Sequence, residues 1–495
     1  ANNGSSWENA FTSLHEALSV TNAKGEFWVA QGTYYPTADN SRTTSFELSQ
    51  TQLYGGFNGT ETELDERDPS KYKTILSGDI GTPNDDSDNS YQVIIVNGST
   101  KLDGFTIADA NNDSKSDLGG GLYFNISPKP PFYFLPSFSI ANCTFENNQA
   151  NIGAAMYLSF DNTVIGSFSP ILFNVSQCTF NNNKAKSNGG AIFLDELNDG
   201  FVSIVLEDMS FTDNQSNSGG AVMMENSNLS IKRSIFKNNK ASNLGAEIYA
   251  NSSQLFVDNV AIYNSEVLTG FDEIQQVKQT GLIYLSQSSL SANHTTIVGH
   301  TEGTDGLIYY ELGKDNNALT IYNSILWNRN VSGLLYANTK DAPVINGTIA
   351  QSLISPFSDC QVNEEELAPE CGAVSFENIF YDTPQFLDIE TGDLRLNIFS
   401  PAIDKGDNAE AENRDALGKA RIYSEAGEGL TDLGAYEFDG TAIAIDIPNQ
   451  PDAKCEADLS YLAADGWTHY VNSPEKKLLL SVKKVGQDIG TLVVG

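Results

Sequence analysis

The sequence predicts an all-β fold, a right-handed parallel β-helix in which short strands stack coil upon coil. Three observations predict this solenoid: a motif that recurs every 25 to 35 residues, Asn- and Gly-rich turns inside each copy, and the lack of a helical period after the first residues. Hydrophobic residues make up 40% of the chain and charged residues only 19%. The polar surface must therefore come largely from Asn, Ser, Thr and Gly, which favours strands and turns over helices.

The chain begins with a predicted capping helix in SSWENAFTSLHEAL. Ser6 is a suitable N-cap, and Trp7, Phe11, Leu14 and Leu18 follow on one face of the helix. Such a helix would cover the open end of the first coil, which needs protection. The segments FWVAQGTYYPT, SFELSQTQLYGGF, KTILSGDIG and YQVIIVNG are then predicted to form strands of the first coils.

Four copies of one motif follow. They are NCTFENNQANIGAAMYLS from Asn142, QCTFNNNKAKSNGGAIFLD from Gln177, DMSFTDNQSNSGGAVMME from Asp208 and RSIFKNNKASNLGAEIYA from Arg233. In each copy a short alternating strand leads to an Asn-rich turn, because Asn tolerates the left-handed backbone conformation, and then to Gly where a side chain would clash. Equivalent Phe, Cys and Asn residues are expected to stack on the next coil, about 4.8 Å away.

The pattern predicts three segments. Residues 1–440 would form the β-helix with its N-terminal cap, and SPAIDKGDN…TDLGAYEF would close it by about Phe438. Residues 441–452 would be a linker. Residues 453–495 hold two alternating strands and would be the start of a small β-sandwich-like domain whose remainder is missing from this sequence.

The net charge of −36 excludes the usual basic footprint of a nucleic-acid-binding protein or of a protein that binds anionic lipid. No run of apolar residues is long enough to insert into a membrane. One acidic cluster, SGDIGTPNDDSDNS, contains Asp79, Asp85, Asp86 and Asp88. Carboxylates in an irregular loop can bind Ca²⁺, so this cluster is a candidate metal site and Ca²⁺ the candidate cofactor; the alternative is a solvated acidic turn.

Two pairs of cysteines carry separate predictions. Cys360 and Cys371 are eleven residues apart in a loop-like stretch and could form a disulfide in an oxidising compartment. Cys143 and Cys178 occupy the same position in successive repeats and are expected to be stacked core thiols.

Parallel β-helices include enzymes that act on polysaccharides, so carboxylates at the ends of strands are candidate catalytic acids. Asp195 and Glu196 follow one strand, and Glu225 follows the equivalent strand one coil later. A glycosidase needs two carboxylates about 5 to 9.5 Å apart, which such a pair could supply. The alternative is that these acids are solvated ends of strands.

Several long motifs resemble a known family. GSSWENAFTSLHEAL, WVAQGTYYPT, LYGGFNGTETELDERDP and SPAIDKGDN…DALGKARI…TDLGAYEF resemble bacterial choice-of-anchor Q proteins, which are secreted right-handed β-helices. The FxxN and GGA[IV] units resemble the repeats of chlamydial polymorphic outer-membrane proteins, which are adhesins. The resemblance covers roughly residues 1 to 440 and implies a secreted β-helix, followed in the family by a C-terminal module for type IX secretion or anchoring.

The sequence therefore predicts a secreted or cell-surface β-helix that acts as an adhesin or as a structural component of an extracellular assembly, without catalysis. Its expected partners are surface glycans or other surface proteins, with assembly through the missing C-terminal module. The alternative is a polysaccharide-active enzyme, either a lyase or a glycoside hydrolase, or a carbohydrate-binding protein.

Overall fold

The fold was analysed in a computed structural model. It describes residues 2–21, 24–114, 117–126, 137–160, 171–195, 202–267, 281–299, 306–311, 318–329, 335–338, 346–354, 361–362, 373–421, 429–438, 478–484 and 487–494. Within these residues the chain forms a parallel β-helix, as predicted, in which each strand pairs with its equivalents in the coils before and after it. No helix of this described part has the length and apolar character needed to cross a bilayer.

The N-terminal cap consists of two short helices rather than one. A 3₁₀-helix, Trp7–Asn9, has Ser6 as its N-cap, and an α-helix, Leu14–Thr21, follows it. The break occurs because Ser13 acts as a second N-terminal cap, its hydroxyl accepting a hydrogen bond from the N–H of Glu16. The helix buries Leu14 and Leu18 in the core of the solenoid and so covers the first coil, as predicted.

Three parallel sheets form the faces of the solenoid. The long sheet, which receives two strands from most coils, contains Gly25–Ala30, Gly32–Tyr34, Thr51–Phe57, Thr74–Ser77, Thr100–Asp103, Phe105–Ala108, Phe138–Ala141, Thr144–Glu146, Ile171–Ser176, Thr179–Asn181, Val202–Glu207, Ser210–Thr212, Asn228–Lys237, Gln254–Tyr263, Ser289–Asn293, Thr296–Val298, Ala318–Tyr322, Ile325–Trp327, Asn346–Ile354 and Ala373–Phe380.

The second sheet contains Phe46–Leu48, Ile94–Val96, Leu122–Ile126, Met156–Phe160, Ile192–Asp195, Val222–Glu225, Ile248–Asn251, Gly281–Ser286, Gly306–Glu311, Leu335–Asn338 and Gln361–Val362. The short sheet contains Gln149–Ile152, Lys184–Asn188, Gln215–Ser218, Lys240–Leu244 and Glu266–Val267. Two antiparallel pairs lie outside these sheets, Phe386–Asp388 with Asp393–Leu396 and Leu478–Lys484 with Gln487–Val494. Short 3₁₀-helices are also found at Leu64–Glu66, Asp86–Asp88 and Asn408–Glu410.

The interior is a continuous apolar core with stacked columns of like side chains. Phe145, Phe180, Phe211 and Phe236 stack with ring centroids 4.9, 5.0 and 4.5 Å apart. These are the four Phe positions that the repeat predicts. Each ring therefore contacts a ring of the next coil and is shielded from water, so hydrophobic burial holds successive coils together.

A ladder of buried amides runs beside the Phe column. Asn148, Asn183, Asn214 and Asn239 are fully buried, and each of the first three donates its side-chain N–H to the next at 2.9 to 3.0 Å. Each also donates to a backbone carbonyl of an earlier coil, as Asn183 does to Phe145. A buried polar group costs free energy unless it is hydrogen-bonded, so the ladder can exist only because every coil repeats it.

The turn between the two long-sheet strands of each coil is made by one residue in the left-handed conformation. This left-handed column comprises Gly104, Asn142, Gln177, Asp208, Arg233, Asn259, His294, Asn323, Gln351 and Asn378, all with φ between +43° and +86°. A second such column, which includes Asn147, Asn182 and Asn238, turns the chain into the short sheet. The predicted role of Asn in the turns is thus confirmed.

Candidate functional site

Exposure along the left-handed column shows which coils are covered. Gly104 is buried, Asn142, Gln177 and Asp208 are exposed, and from Asn259 to Asn323 the column is buried again. Residues 58–73, here called the first wall, cover the column at Gly104. The described residues of 402–438, here called the C-terminal segment, cover it from Asn259 to Asn323. Residues 411–419 of that segment border the opening and are called the second wall. Between the two walls lies a groove across the outer face of the long sheet.

The groove is continuous from wall to wall. A depression of about 860 Å³ beside the first wall and one of about 680 Å³ beside the second both include Gln177 and Thr179 in their linings. The coil that carries these two residues is therefore the middle of the floor.

The first wall is fixed to the coil of Gly104. Arg67 forms a salt bridge with Asp103, Nη2 to Oδ1 at 2.7 Å, and Nη1 donates to the carbonyl of Gly55 at 3.1 Å. A Cβ atom on Gly104 would lie 2.7 Å from Nη1 of Arg67 and 2.9 Å from Cγ of Pro69, so only glycine lets the wall approach this closely.

The start of the first wall is held by one buried carboxylate. Glu61 accepts hydrogen bonds from the backbone N–H groups of Asn58, Gly59 and Thr60 at 2.7 to 3.0 Å. Burial alone would raise the pKa of Glu61, but these donors hold it below its usual value. The loop is thus shaped by an ionised side chain rather than by regular secondary structure.

The second wall is held by ion pairs at its beginning. Glu412 pairs with Lys232 and lies 3.5 Å from Nη1 of Arg233. Arg233 also pairs with Asp208, Nε to Oδ1 at 2.8 Å, at the edge of the groove. The buried carboxylate of Asp415 accepts hydrogen bonds from the N–H groups of Leu417 at 2.9 Å and Lys419 at 2.8 Å.

Behind the second wall, a buried polar network joins the C-terminal segment to the left-handed column. The fully buried Arg421 lies 3.3 Å from Oε2 of Glu437 and also donates to the side chain of Asn259 and, at 2.9 Å, to the carbonyl of Gly434. Oγ1 of Thr431 lies 3.1 Å from Nε2 of His294. These contacts between residues distant in sequence hold the second wall in place on the long sheet.

Burial determines the ionisation of this network. It raises the pKa of Asp432 to about 7 and that of Glu437 to about 8. Burial and the nearby charge of Arg421 lower the pKa of His294 to about 2, so this histidine is neutral.

The side chains of the floor change from hydroxyl-bearing to mostly apolar where the C-terminal segment covers the long sheet. In the open coils, one outward position of the long sheet is occupied by Thr144, Thr179 and Ser210. The same position becomes apolar or small in the following coils, which carry Ile235, Ala261, Thr296, Ile325 and Leu353. The covered part packs against Leu433, Ala435 and Tyr436 of the C-terminal segment. The open part presents hydroxyl groups to solvent.

The lining offers hydrogen-bonding groups and balanced charge. Its cations are Arg67, Lys73, Arg233 and Arg414, and its carboxylates are Glu63, Asp65, Asp68 and Asp208. Leu417, of which 46% is exposed, supplies an apolar contact at the second wall. Such a surface suits a ligand rich in hydroxyl groups.

The candidate catalytic acids lie on the second sheet and do not line the groove. Asp195 and Glu225 are in register on neighbouring coils. The hydroxyl of Tyr157 donates to Oδ2 of Asp195 at 2.6 Å, and Nδ2 of Asn251 donates to Oε1 of Glu225 at 3.3 Å. Glu196 lies outside the described residues.

The candidate calcium ligands serve as local caps in the structure. Asp79 accepts from the N–H of Asn84 at 3.0 Å, Asp85 from Ser87 at 3.0 Å and Asp88 from Thr82 at 2.8 Å. Asp86 accepts from the side chain of Gln149 at 2.7 Å. Across the described ranges, no three carboxylate, histidine or cysteine side chains are grouped as metal ligands would be. Calcium binding stays a prediction.

The two cysteine predictions have different outcomes. Cys143 and Cys178 are free and buried, and the N–H of Cys143 lies 3.4 Å from Sγ of Cys178, which confirms that they stack in the core. Cys360 and Cys371 lie outside the described residues, so their disulfide remains a prediction.

Comparison with known proteins finds one family model. Residues 177–195 match the Chlamydia polymorphic membrane protein repeat, a stretch that begins at the middle coil of the groove floor. The match covers one repeat of this chain and supports its description as a repeat protein. No curated protein matches the chain.

Two solved structures match part of the chain at low identity. The tailspike protein of E. coli bacteriophage HK620, in complex with a pentasaccharide, is 11% identical with a TM-score of 0.24, and the match covers 74% of this chain and 61% of that one. The tailspike protein of Acinetobacter baumannii phage AM24 is 8% identical with a TM-score of 0.22, covering 74% of this chain and 51% of that one. The chain thus spans between half and three fifths of these tailspikes, and the fold assignment rests on its own strand pairing.

Proposed function

We propose that the protein is a secreted or cell-surface, adhesin-like β-helix that holds a glycan in the groove between its two walls and does not cleave it. One observation carries the proposal: two non-repeating segments stop on either side of three coils and leave exposed a floor of hydroxyl and amide side chains. The coils of a repeat fold are alike, so a part of the sheet that is left open between two covering segments differs from the rest of the rod. Such an opening with a polar floor is typical of a binding surface.

The outline of the function agrees with the other findings. The family model that matches the central coil describes a membrane protein repeat, and one structural neighbour was solved with a pentasaccharide. Placement on a cell surface, attachment through a C-terminal module and calcium as a structural ion belong to the same proposal. An extracellular location would account for the strongly acidic composition.

An enzyme acting on polysaccharides is the second candidate, and one observation favours it. Asp195 and Glu225 occupy paired positions on neighbouring coils, which are about 4.8 Å apart. This spacing is close to the separation of about 5 to 5.5 Å between the carboxyl groups of a retaining glycosidase.

Binding and turnover can be separated in one experiment. The protein is incubated with a panel of neutral and acidic glycans, and bound glycan, new reducing ends and unsaturated products are measured. We expect binding without products, and we expect Thr179→Trp, which fills the floor, to abolish it. Lys184→Trp is the matched control, since Lys184 is exposed on the short sheet of the same coil.

Two outcomes would overturn the proposal. Product formation that is lost in the Asp195→Asn, Glu225→Gln double variant would identify an enzyme with its site on the second sheet. Glycan binding that is equal in the Thr179→Trp and Lys184→Trp variants, or no binding to any glycan, would exclude the groove as a glycan site.

A further inference from the structure

We infer that the ligand of the groove is an uncharged linear polysaccharide that crosses the rod along the strand direction and is held by its interior rather than by a chain end. The inference rests on the proposed function and specifies the class of glycan. It follows from the direction in which the groove is open, from the side chains along that direction and from the charge of the lining.

The walls determine the direction. Both stand at the ends of the opening along the rod axis, the first over Gly104 and the second beside Arg233. Coils are spaced about 4.8 Å apart, so three open coils give a width of roughly 10 to 15 Å between the walls. A chain that lay along the axis would soon meet a wall. The strands run across the axis. Within the described residues, Asn174 at one end of the middle coil's outer face and Asn182 at the other are at least partly exposed, so an extended ligand parallel to the strands can enter and leave on both sides.

The middle coil forms a strip of uncharged polar side chains in that direction. Its outward-facing residues are Asn174, Ser176, Gln177, Thr179, Asn181 and Asn182, each at least partly exposed. At about 3.3 Å per residue, the strip is at most about 26 Å long. It offers several successive sugars a hydroxyl or amide partner, and such groups both donate and accept hydrogen bonds, as sugar hydroxyls do.

The charge of the lining selects against an anionic chain. The four cations of the lining are matched by four carboxylates. Arg67 and Arg233 already pair with Asp103 and Asp208, at 2.7 and 2.8 Å. The protein as a whole has a net charge of −36. A uronate or sulfated polymer would be repelled at long range and would find no excess of positive charge in the groove.

The described lining contains no Phe, Tyr or Trp, so the binding energy must come from hydrogen bonds and from contacts with aliphatic side chains such as Leu417 and Leu64. Each hydrogen bond adds little to the net affinity, because it replaces a hydrogen bond with water. Affinity is therefore expected to increase with the number of sugars in contact, until the strip is filled.

The test uses polymers that share a backbone and differ in charge: dextran against carboxymethyl dextran, and galactan against polygalacturonate, with xylan and mannan added. Affinities are measured for the whole chain by surface plasmon resonance at low and high salt. We expect a neutral polymer to bind with less than about a twofold change in Kd over that range, since no counterions are released. Oligosaccharides of increasing length, with both ends chemically blocked, should compete more strongly as they lengthen.

Thr179→Trp and a second blocking variant, Asn174→Trp, should each weaken binding at least tenfold, while Lys184→Trp should not. Their thermal unfolding temperatures show that the variants are folded. Binding of only the anionic polymers, weakened by salt and by both blocking variants, would overturn this inference and leave the proposed function standing. Competition that requires a free chain end would overturn the binding of the chain interior. Binding that neither variant weakens would overturn both proposals.

Discussion

The side-chain amide of Asn239 donates a 2.7 Å hydrogen bond to the carboxyl group of Glu247, which is fully buried. Glu247 stands where the preceding coils carry Ala155, Ala191 and Ala221, and it also contacts the hydroxyl of Ser265. The amide ladder therefore ends on a carboxyl group inside the core, at the coil where Ser265 replaces the next Asn.

Replacing Glu247 with Gln should stabilise the protein at high pH and not at low pH. Burial raises the pKa of Glu247 well above its ordinary value of 4.5. The folded protein thus keeps a proton that the unfolded chain loses, and stability falls as the pH rises above about 4.5. Gln has no such proton to lose.

Thermal unfolding of both proteins between about pH 4 and about pH 8 checks this expectation. The Tm difference should be smallest at the acidic end and grow with pH. Glu146→Gln, at a half-buried outward position of the long sheet, is the control. A Tm difference that does not vary with pH would contradict the prediction.

Arg421→Met should loosen the second wall and destabilise the C-terminal segment. The substitution leaves the buried acceptors on Glu437, Asn259 and Gly434 without their donor, and the expected cost is about 3 kcal/mol. Hydrogen exchange should increase in residues 402–438 more than in the coils of the groove floor. Arg395→Met is the control. It breaks the ion pair between Arg395 and Asp393, and because half of the Arg395 side chain is exposed, it should change stability little. Equal effects of the two substitutions would show that the buried network does not fix the wall.

Chelation should lower the Tm if the loop from Asp79 to Asp88 binds Ca²⁺, because the ion stabilises only the folded state. Asp79→Ala should remove that sensitivity, whereas Glu47→Ala, which replaces an exposed acid of the second sheet, should retain it. If the wild-type Tm is the same with chelator and with added Ca²⁺, the loop is an acidic turn that folds without metal.

Thiol labelling should separate the two cysteine pairs. Cys143 and Cys178 should resist alkylation until the protein unfolds, because both are buried and burial raises the pKa of the Cys178 thiol. In a peptide map without reductant, the peptides of Cys360 and Cys371 should be joined. Rapid labelling of Cys143 in the native protein would show that its coil opens readily, and separate peptides would exclude the disulfide.

The repeating part of the fold could be predicted because the same motif recurs in successive coils and its equivalent residues make the same contacts in each. Phe145 and Phe180 stack at 4.9 Å, and Asn147 and Asn182 adopt the left-handed conformation, as their positions in the repeat indicate. The short strands and turns are local, so their pattern is visible in a single copy.

The groove could not be predicted in the same way. Its walls do not repeat, and their positions depend on contacts such as that between Asn259 and Arg421, 162 residues apart. One sequence signal does mark where the open floor ends. The outward position that holds Thr179 and Ser210 becomes Ile235 in the next coil, and such a change from hydroxyl to apolar marks where another segment covers the sheet.

The left-handed column has a consequence for how this protein can evolve. Its members include Gly, Asn, Gln, Asp, Arg and His, so the fold requires a backbone conformation there and tolerates many side chains. A non-glycine residue pays roughly 1 to 2 kcal/mol for that conformation, with Asn and Asp tolerating it best, and the fold also carries this cost at Gln177 and Arg233. Asn142, Gln177 and Asp208 can therefore be exchanged one by one while the coil persists. Recognition can diversify on an inherited scaffold, much as variable loops do on a conserved framework.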